Sequence, residues 1–87
     1  MAYRLRASKR FKKAHAQKTA SDRAEVDRAL RLLAANPRHN GLHTHKVQGA
    51  VGVWESRIDQ ANRLTWNYDG DVIVLRMSCR HDILKRP

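Results

Sequence analysis

The chain has 87 residues, enough for one domain around a single small core, so residues 1–87 read as one unit. Eighteen Lys and Arg against eight Asp and Glu give a formal charge of +10, which calls for an anionic partner, while an aromatic content of 6% excludes a binder built as a ladder of stacking rings. The single cysteine, Cys79, excludes an internal disulfide and fits a reducing, cytoplasmic setting. No apolar run is long enough for a membrane span, and MAYRLRASKRFKK lacks the apolar segment of a signal peptide.

Tyr3-Arg4-Leu5-Arg6 alternates apolar and basic residues and predicts a short first strand, after which Ser8 stands as the N-cap of a helix from Lys9 to about Lys18. That helix puts Phe11, Ala14 and His15 on one side and lysines and Arg10 around the rest. Asp22-x-x-Glu25 has the form of a capping box ahead of Val26, Ala29, Leu30 and Leu33, which keep helical spacing until Asn36-Pro37 ends the element. Only a few residues around Thr19 to Ser21 join the two helices, so they should form a hairpin lying on one face of a sheet.

The polar stretch PRHNGLHTHKVQGAVG holds at most one short strand, around His45 to Val47, and everything after it reads as β. Val53–Asp59, Arg63–Tyr68 and Val72–Cys79 each alternate, with Asp69-Gly70 as a hairpin signal between the last two. Taken as a two-residue turn, Asp69-Gly70 pairs Trp66 with Ile73, Leu64 with Leu75 and Arg63 with Arg76. A three-residue loop, Gln60-Ala61-Asn62, pairs Ile58 with Leu64, Ser56 with Trp66 and Asp59 with Arg63. One face is then apolar, with Trp54, Ile58, Leu64, Trp66, Ile73, Leu75, Met77 and Cys79. The other carries Glu55, Arg57, Asp59, Arg63, Thr65, Asn67, Arg76 and Ser78.

On that polar face Arg63 and Arg76 confront each other and Arg57 lies diagonally within reach, an arrangement that costs stability unless an anion relieves it. His43, His45 and His81 border the same face, whereas His15 and His39 read as packing or surface residues. His43-x-His45 with His81 is too poor in acidic or thiolate ligands to predict a metal site, and no cofactor is implied. Arginines that hold phosphate, beside groups that move protons, are the equipment for metal-free cleavage of RNA. The 2′-hydroxyl supplies the nucleophile, and DNA lacks it.

In order and spacing, Gly41-Leu42-His43-x-His45-Lys46-Val47-x-Gly49, Trp54-Glu55-x-Arg57-Ile58-Asp59, Asn62-Arg63-Leu64-Thr65-Trp66 and Arg76 to His81-Asp82 resemble the RelE/ParE toxin superfamily over nearly the whole chain. The resemblance implies a RelE-like α+β fold, with two N-terminal helices packed on one face of a twisted antiparallel sheet of about four strands. It also implies a cognate acidic antitoxin and, in the RelE, YoeB and YafQ branches, cleavage of mRNA in the ribosomal A site. Carried over, Arg57 and Arg63 match the arginines that hold the scissile phosphate, Arg76 matches a further arginine, and His81 is similar to a C-terminal histidine assigned proton transfer. Lys46 and His43 or His45 fall where members place relay residues, and Glu55 is expected to orient an arginine. The tail after His81 lacks the aromatic residue with which several nuclease members stack on the target base. The alternatives are the ParE branch, which poisons DNA gyrase and lacks this histidine set, and a basic RNA- or ribosome-binding protein whose catalytic set has decayed.

Overall fold

A computed structural model describes residues 2–80, with the side chains of Cys79 and Arg80 excepted. Strand β1 (Arg4–Ala7) leads into helix α1 (Lys9–Ala16) and helix α2 (Ala20–Ala35). A single 3₁₀ turn, Asn40–Leu42, then precedes strands β2 (His45–Lys46), β3 (Trp54–Arg57), β4 (Asn62–Asp69) and β5 (Val72–Arg80). The sheet order is β1-β5-β4-β3-β2, with β1 parallel to β5 and every other pair antiparallel. The expected antiparallel sheet of about four strands is therefore a mixed sheet of five. The difference arises because the chain leaving β1 crosses through both helices before β5 arrives alongside.

Ser8 caps α1 as expected, its Oγ accepting the Phe11 N–H at 3.1 Å. Helix α2 starts earlier than the Asp22-x-x-Glu25 box predicts. Thr19 is the N-cap, accepting the Asp22 N–H at 3.1 Å, so Asp22 lies in the first turn, where its charge suits the helix dipole. Both helices pack on one sheet face, where Phe11, Val26, Ala29 and Leu33 meet Leu42, Ile58, Leu64, Trp66, Ile73 and Leu75 in one buried core.

Both hairpins depart from the expected register. The β4–β5 turn is Gly70-Asp71, because Gly70 adopts φ 62° at the first central position, where a II′-type hairpin turn needs glycine. Asp69 thereby remains in β4 opposite Val72. A bulge opposite Thr65 and Trp66 then shifts the ladder, pairing Trp66 with Leu75 but Thr65 with Met77. Between buried Leu75 and buried Ser78 two successive residues, Arg76 and Met77, leave the core side. The expected inward Met77 and outward Ser78 are thus exchanged. The register sets Cys79 opposite Arg63, and its expected burial lies outside the described side chains.

In the β3–β4 hairpin Trp54 faces Trp66, Ser56 faces Leu64 and Arg57 faces Arg63, two residues away from the expected pairing. The loop is held by Asp59, whose carboxylate accepts the N–H groups of Ala61 and Asn62 at 2.8 Å each and the Asn62 amide at 3.1 Å. Asp59 therefore closes the turn and takes no part in a cross-strand pair with Arg63.

Ser56 is fully buried in an otherwise apolar row. Its Oγ accepts the Trp66 indole N–H at 2.9 Å and lies 2.8 Å from Thr44 Oγ1, which donates to the Pro37 carbonyl at 2.7 Å. Since Thr44 gives its one hydrogen to Pro37, Ser56 donates to Thr44. The chain Trp66 to Ser56 to Thr44 to Pro37 is satisfied at every link.

Ser56→Ala strands the Trp66 indole donor in the core and should lower unfolding free energy by about 1–3 kcal/mol in urea titration, with Ser56→Thr closer to the parent. Burial alone would raise the Asp59 pKa, but the hydrogen bonds from Asn62 and Ala61, with the Arg63 charge, outweigh it and hold the carboxyl below its ordinary 3.8. A depressed native pKa stabilises the fold above the unfolded value and loses that contribution as pH falls through the native one. Asp59→Ala should therefore cost about 1–2 kcal/mol near neutral pH, and the gap from the parent should narrow as both are titrated below pH ~4.

Candidate functional site

Inward pairing of Thr44 with Ser56 turns their neighbours outward. His43 and His45 flank Thr44, Glu55 and Arg57 flank Ser56, and in an extended chain alternate side chains point to opposite faces. These four, with Arg63 from β4, line one hollow of about 310 Å³ on the face away from the helices. The arginine pair expected on the polar face exists, but it consists of Arg57 and Arg63, directly opposite in register.

The two arginines are held differently. Arg57 is exposed, with no hydrogen-bond partner among the described residues. Arg63 is 7% exposed, and its Nη1 donates to the carbonyls of Asp59 at 2.6 Å, Asn62 at 3.0 Å and Gln60 at 3.3 Å. Only that corner is engaged, so Nε and Nη2 remain to face the hollow. Arg63, expected on the polar face, is therefore largely buried there: it holds the hairpin loop as well as lining the site.

His45 connects the halves of the hollow. Its Nδ1 lies 3.0 Å from the His43 carbonyl, and its Nε2 lies 3.2 Å from Glu55 Oε1. A carbonyl only accepts, so Nδ1 carries a hydrogen. The Glu55 carboxylate, mostly buried at 16% exposure, and the imidazole, open at 59%, form an ion pair when the ring carries both hydrogens. Glu55, expected to orient an arginine, pairs instead with His45.

His43 occupies the left-handed region, φ 48° and ψ 45°, at the end of the 3₁₀ turn. This conformation is uncommon outside glycine and more accessible to His than to branched residues. It redirects the chain so that the exposed His43 ring borders the hollow. Among the described residues no hydrogen bond engages that ring, whereas the His39 ring accepts the Gly41 N–H at 3.0 Å and His15 pairs with Asp27 at 3.1 Å.

Two other predicted site residues lie elsewhere. Lys46 faces Trp54 across the β2–β3 pair, and its Nζ sits over that indole at 5.6 Å, on the sheet side opposite the hollow. Arg76 is on the open face but lines a separate hollow. His81 lies outside the described residues. Sequence reasoning missed Ser56 and Thr44, whose signal is a small hydroxyl residue at an inward position beside a tryptophan.

No family sequence model matches the chain, and no curated protein matches it in sequence. Similar solved structures are numerous. The YoeB/ParE toxin from Agrobacterium tumefaciens superposes with a TM-score of 0.77 at 15% identity, over 90% of this chain and 98% of that one. The archaeal RelE of the RelE–RelB complex from Pyrococcus horikoshii OT3 gives 0.73 at 18% identity, over 92% and 96%. A chain of the E. coli DinJ–YafQ toxin–antitoxin complex gives 0.75 at 15% identity, over 99% and 100%. The chain has the α+β fold shared by the RelE, YoeB and YafQ toxins.

Proposed function

We propose that this protein is the toxin of a toxin–antitoxin pair and acts as a metal-independent endoribonuclease on mRNA in the ribosomal A site. The observation that carries the reading is the meeting, in one open hollow, of two facing arginines, the His45–Glu55 pair and a second imidazole, His43, that no hydrogen bond engages among the described residues. The fold likeness supports the toxin class, since the P. horikoshii and E. coli relatives are described as complexes with RelB and DinJ. A formal charge of +10 supports an acidic antitoxin as partner.

The chemistry follows from the groups. Arg57 and the outer edge of Arg63 grip the non-bridging oxygens of the scissile phosphodiester and stabilise the charge that grows there as the 2′-oxygen attacks phosphorus. His43 takes the 2′-hydroxyl proton. The P–O5′ bond breaks as His45, charged against Glu55, delivers its proton to the departing oxygen. The products are a 2′,3′-cyclic phosphate and a free 5′-hydroxyl. His81 is a sequence-based candidate for the same acid step, and Lys46 and Arg76 are not assigned to the reacting phosphate.

Purified protein incubated with translating ribosomes and a defined mRNA should cut within the A-site codon, in EDTA, and a 2′-deoxy nucleotide at the cut should abolish cleavage. Intact mRNA together with trapped gyrase–DNA complexes would select the ParE-like alternative instead. Arg57→Ala should slow cleavage by about 10²–10³-fold without moving the unfolding midpoint, because its side chain is exposed and unbonded. At position 63 Arg63→Ala should lose both activity and stability. His43→Gln and His45→Gln should each remove a different limb of the pH–rate profile.

A further inference from the structure

Beside the first hollow, across Thr65, the open face carries a second one of about 400 Å³, lined by Ser8, Arg10, Thr65, Val74, Arg76 and Met77. Its construction is specific. Ser8 donates its backbone N–H to the Leu75 carbonyl at 3.0 Å and its hydroxyl to the Arg76 carbonyl at 3.1 Å. The start of α1 is thereby seated on the β5 bulge, and the bulge sends Arg76 out of the core side at the point where Arg10 arrives.

No carboxylate lines this hollow. Arg76 touches only the neutral amide oxygen of Asn67, at 3.3 Å, and among the described residues neither Arg10 nor Arg76 forms an ion pair. Of the acids on the sheet, Glu55, opposite Thr65, is paired with His45 at 3.2 Å, and Asp69 and Asp71 are taken by Arg6 at 2.9 Å and Arg4 at 3.2 Å. Two guanidiniums thus share a concave site without compensation.

The two hollows lie side by side across the strands. Glu55 pairs with Thr65 and Thr65 with Met77, so the path from the first to the second runs from β3 over β4 to β5, roughly 10 Å for two strand spacings. A single small anion does not span that distance, but a chain of phosphates does. Between them Thr65 presents an uncharged, half-buried surface.

We infer that Arg10 and Arg76 form a second phosphate subsite, which holds a neighbouring phosphate of a single-stranded polynucleotide whose reacting phosphate sits between Arg57 and Arg63. This rests on the ribonuclease reading for the identity of the polymer, but the subsite itself is a binding property and is testable without cleavage. It gives Arg76 a positioning role distinct from that of the Arg57 and Arg63 pair.

The test measures binding of a fluorescent 2′-O-methyl oligoribonucleotide, which cannot supply the nucleophile, across a salt series. The proteins are the parent, Arg10→Ala, Arg76→Gln, the double variant and Arg31→Ala from the exposed side of α2 as control. Because the two arginines hold one phosphate, the double variant should flatten the slope of log affinity against log salt by about 0.7, irrespective of sequence, with each single variant between it and the parent. The control should match the parent, and all variants should keep its unfolding midpoint. A double variant with the parent slope overturns the subsite, as does an acidic polypeptide whose affinity, unlike that of RNA, depends on Arg10 and Arg76. A flattened slope in a protein that fails to cut ribosomal mRNA leaves the subsite standing and removes the ribonuclease reading. Cleavage with an unaltered slope does the reverse.

Discussion

The hydrogen-bonded row from Trp66 through Ser56 and Thr44 to Pro37 is the constraint around which this fold is organised. Its polarity is fixed at both ends, because an indole N–H only donates and the Pro37 carbonyl only accepts. The two hydroxyls between them must each give one bond and take one. Four separate segments are joined this way with no donor or acceptor of the row left unpaired. The same row determines what the outer face displays, since the residues adjoining each hydroxyl point the other way. His43, His45, Glu55 and Arg57 are assembled as a consequence of where the buried Ser56 hydroxyl meets the half-buried one of Thr44.

Much of this is legible in the residues. Ser8 as a cap, the stripe of Val26, Ala29 and Leu33, the stop at Asn36-Pro37 and the existence of a basic sheet face all follow from local patterns whose physics is short-range. Strand register does not follow from them. Alternation assigns Met77 inward because period two has no way to signal an extra residue, and the bulge beside Arg76 reverses the phase for the rest of β5. Asp69-Gly70 reads as a turn one position early because Asp-Gly suits one primed turn, and glycine in first place suits the other equally well. The arginine pair persists as a pair with one member changed. The reason is the β3–β4 register, which brings Arg57 opposite Arg63 while the β4–β5 register carries Arg76 away from it.

Some of the cations are paired with carboxylates, while among the described residues the arginines that line the two hollows are not. Arg4, Arg6 and Arg28 have carboxylate partners in Asp71, Asp69 and Glu25, and His15 has Asp27. As exposed pairs these add little to stability, but they withdraw positive charge from the sheet edge and helix surface. Arg10, Arg57, the outer edge of Arg63 and Arg76 have no such partners among the described residues. Arginines thus line both hollows of the open face, a positive surface of the kind that steers an incoming polyanion.

Arg57 opposite Arg63 is unfavourable in an empty sheet, and the structure contains the device that makes it tolerable. Arg63 turns one corner of its guanidinium into the hairpin loop, where three carbonyl dipoles face its charge, and leaves the other corner to the hollow. A lysine could not divide itself in this way, because its charge is a single compact point without a planar fork. The loop that Arg63 braces is closed in turn by Asp59, where the pull of burial on the carboxyl pKa is outweighed by the hydrogen bonds from Asn62 and Ala61, with the Arg63 charge adding to them. Repulsion that remains between the two arginines is relieved only when an anion seats between them. Under the proposed function, the cost of holding them together in the free protein would return as affinity for a phosphate, with the braced loop keeping the two arginines in place beforehand.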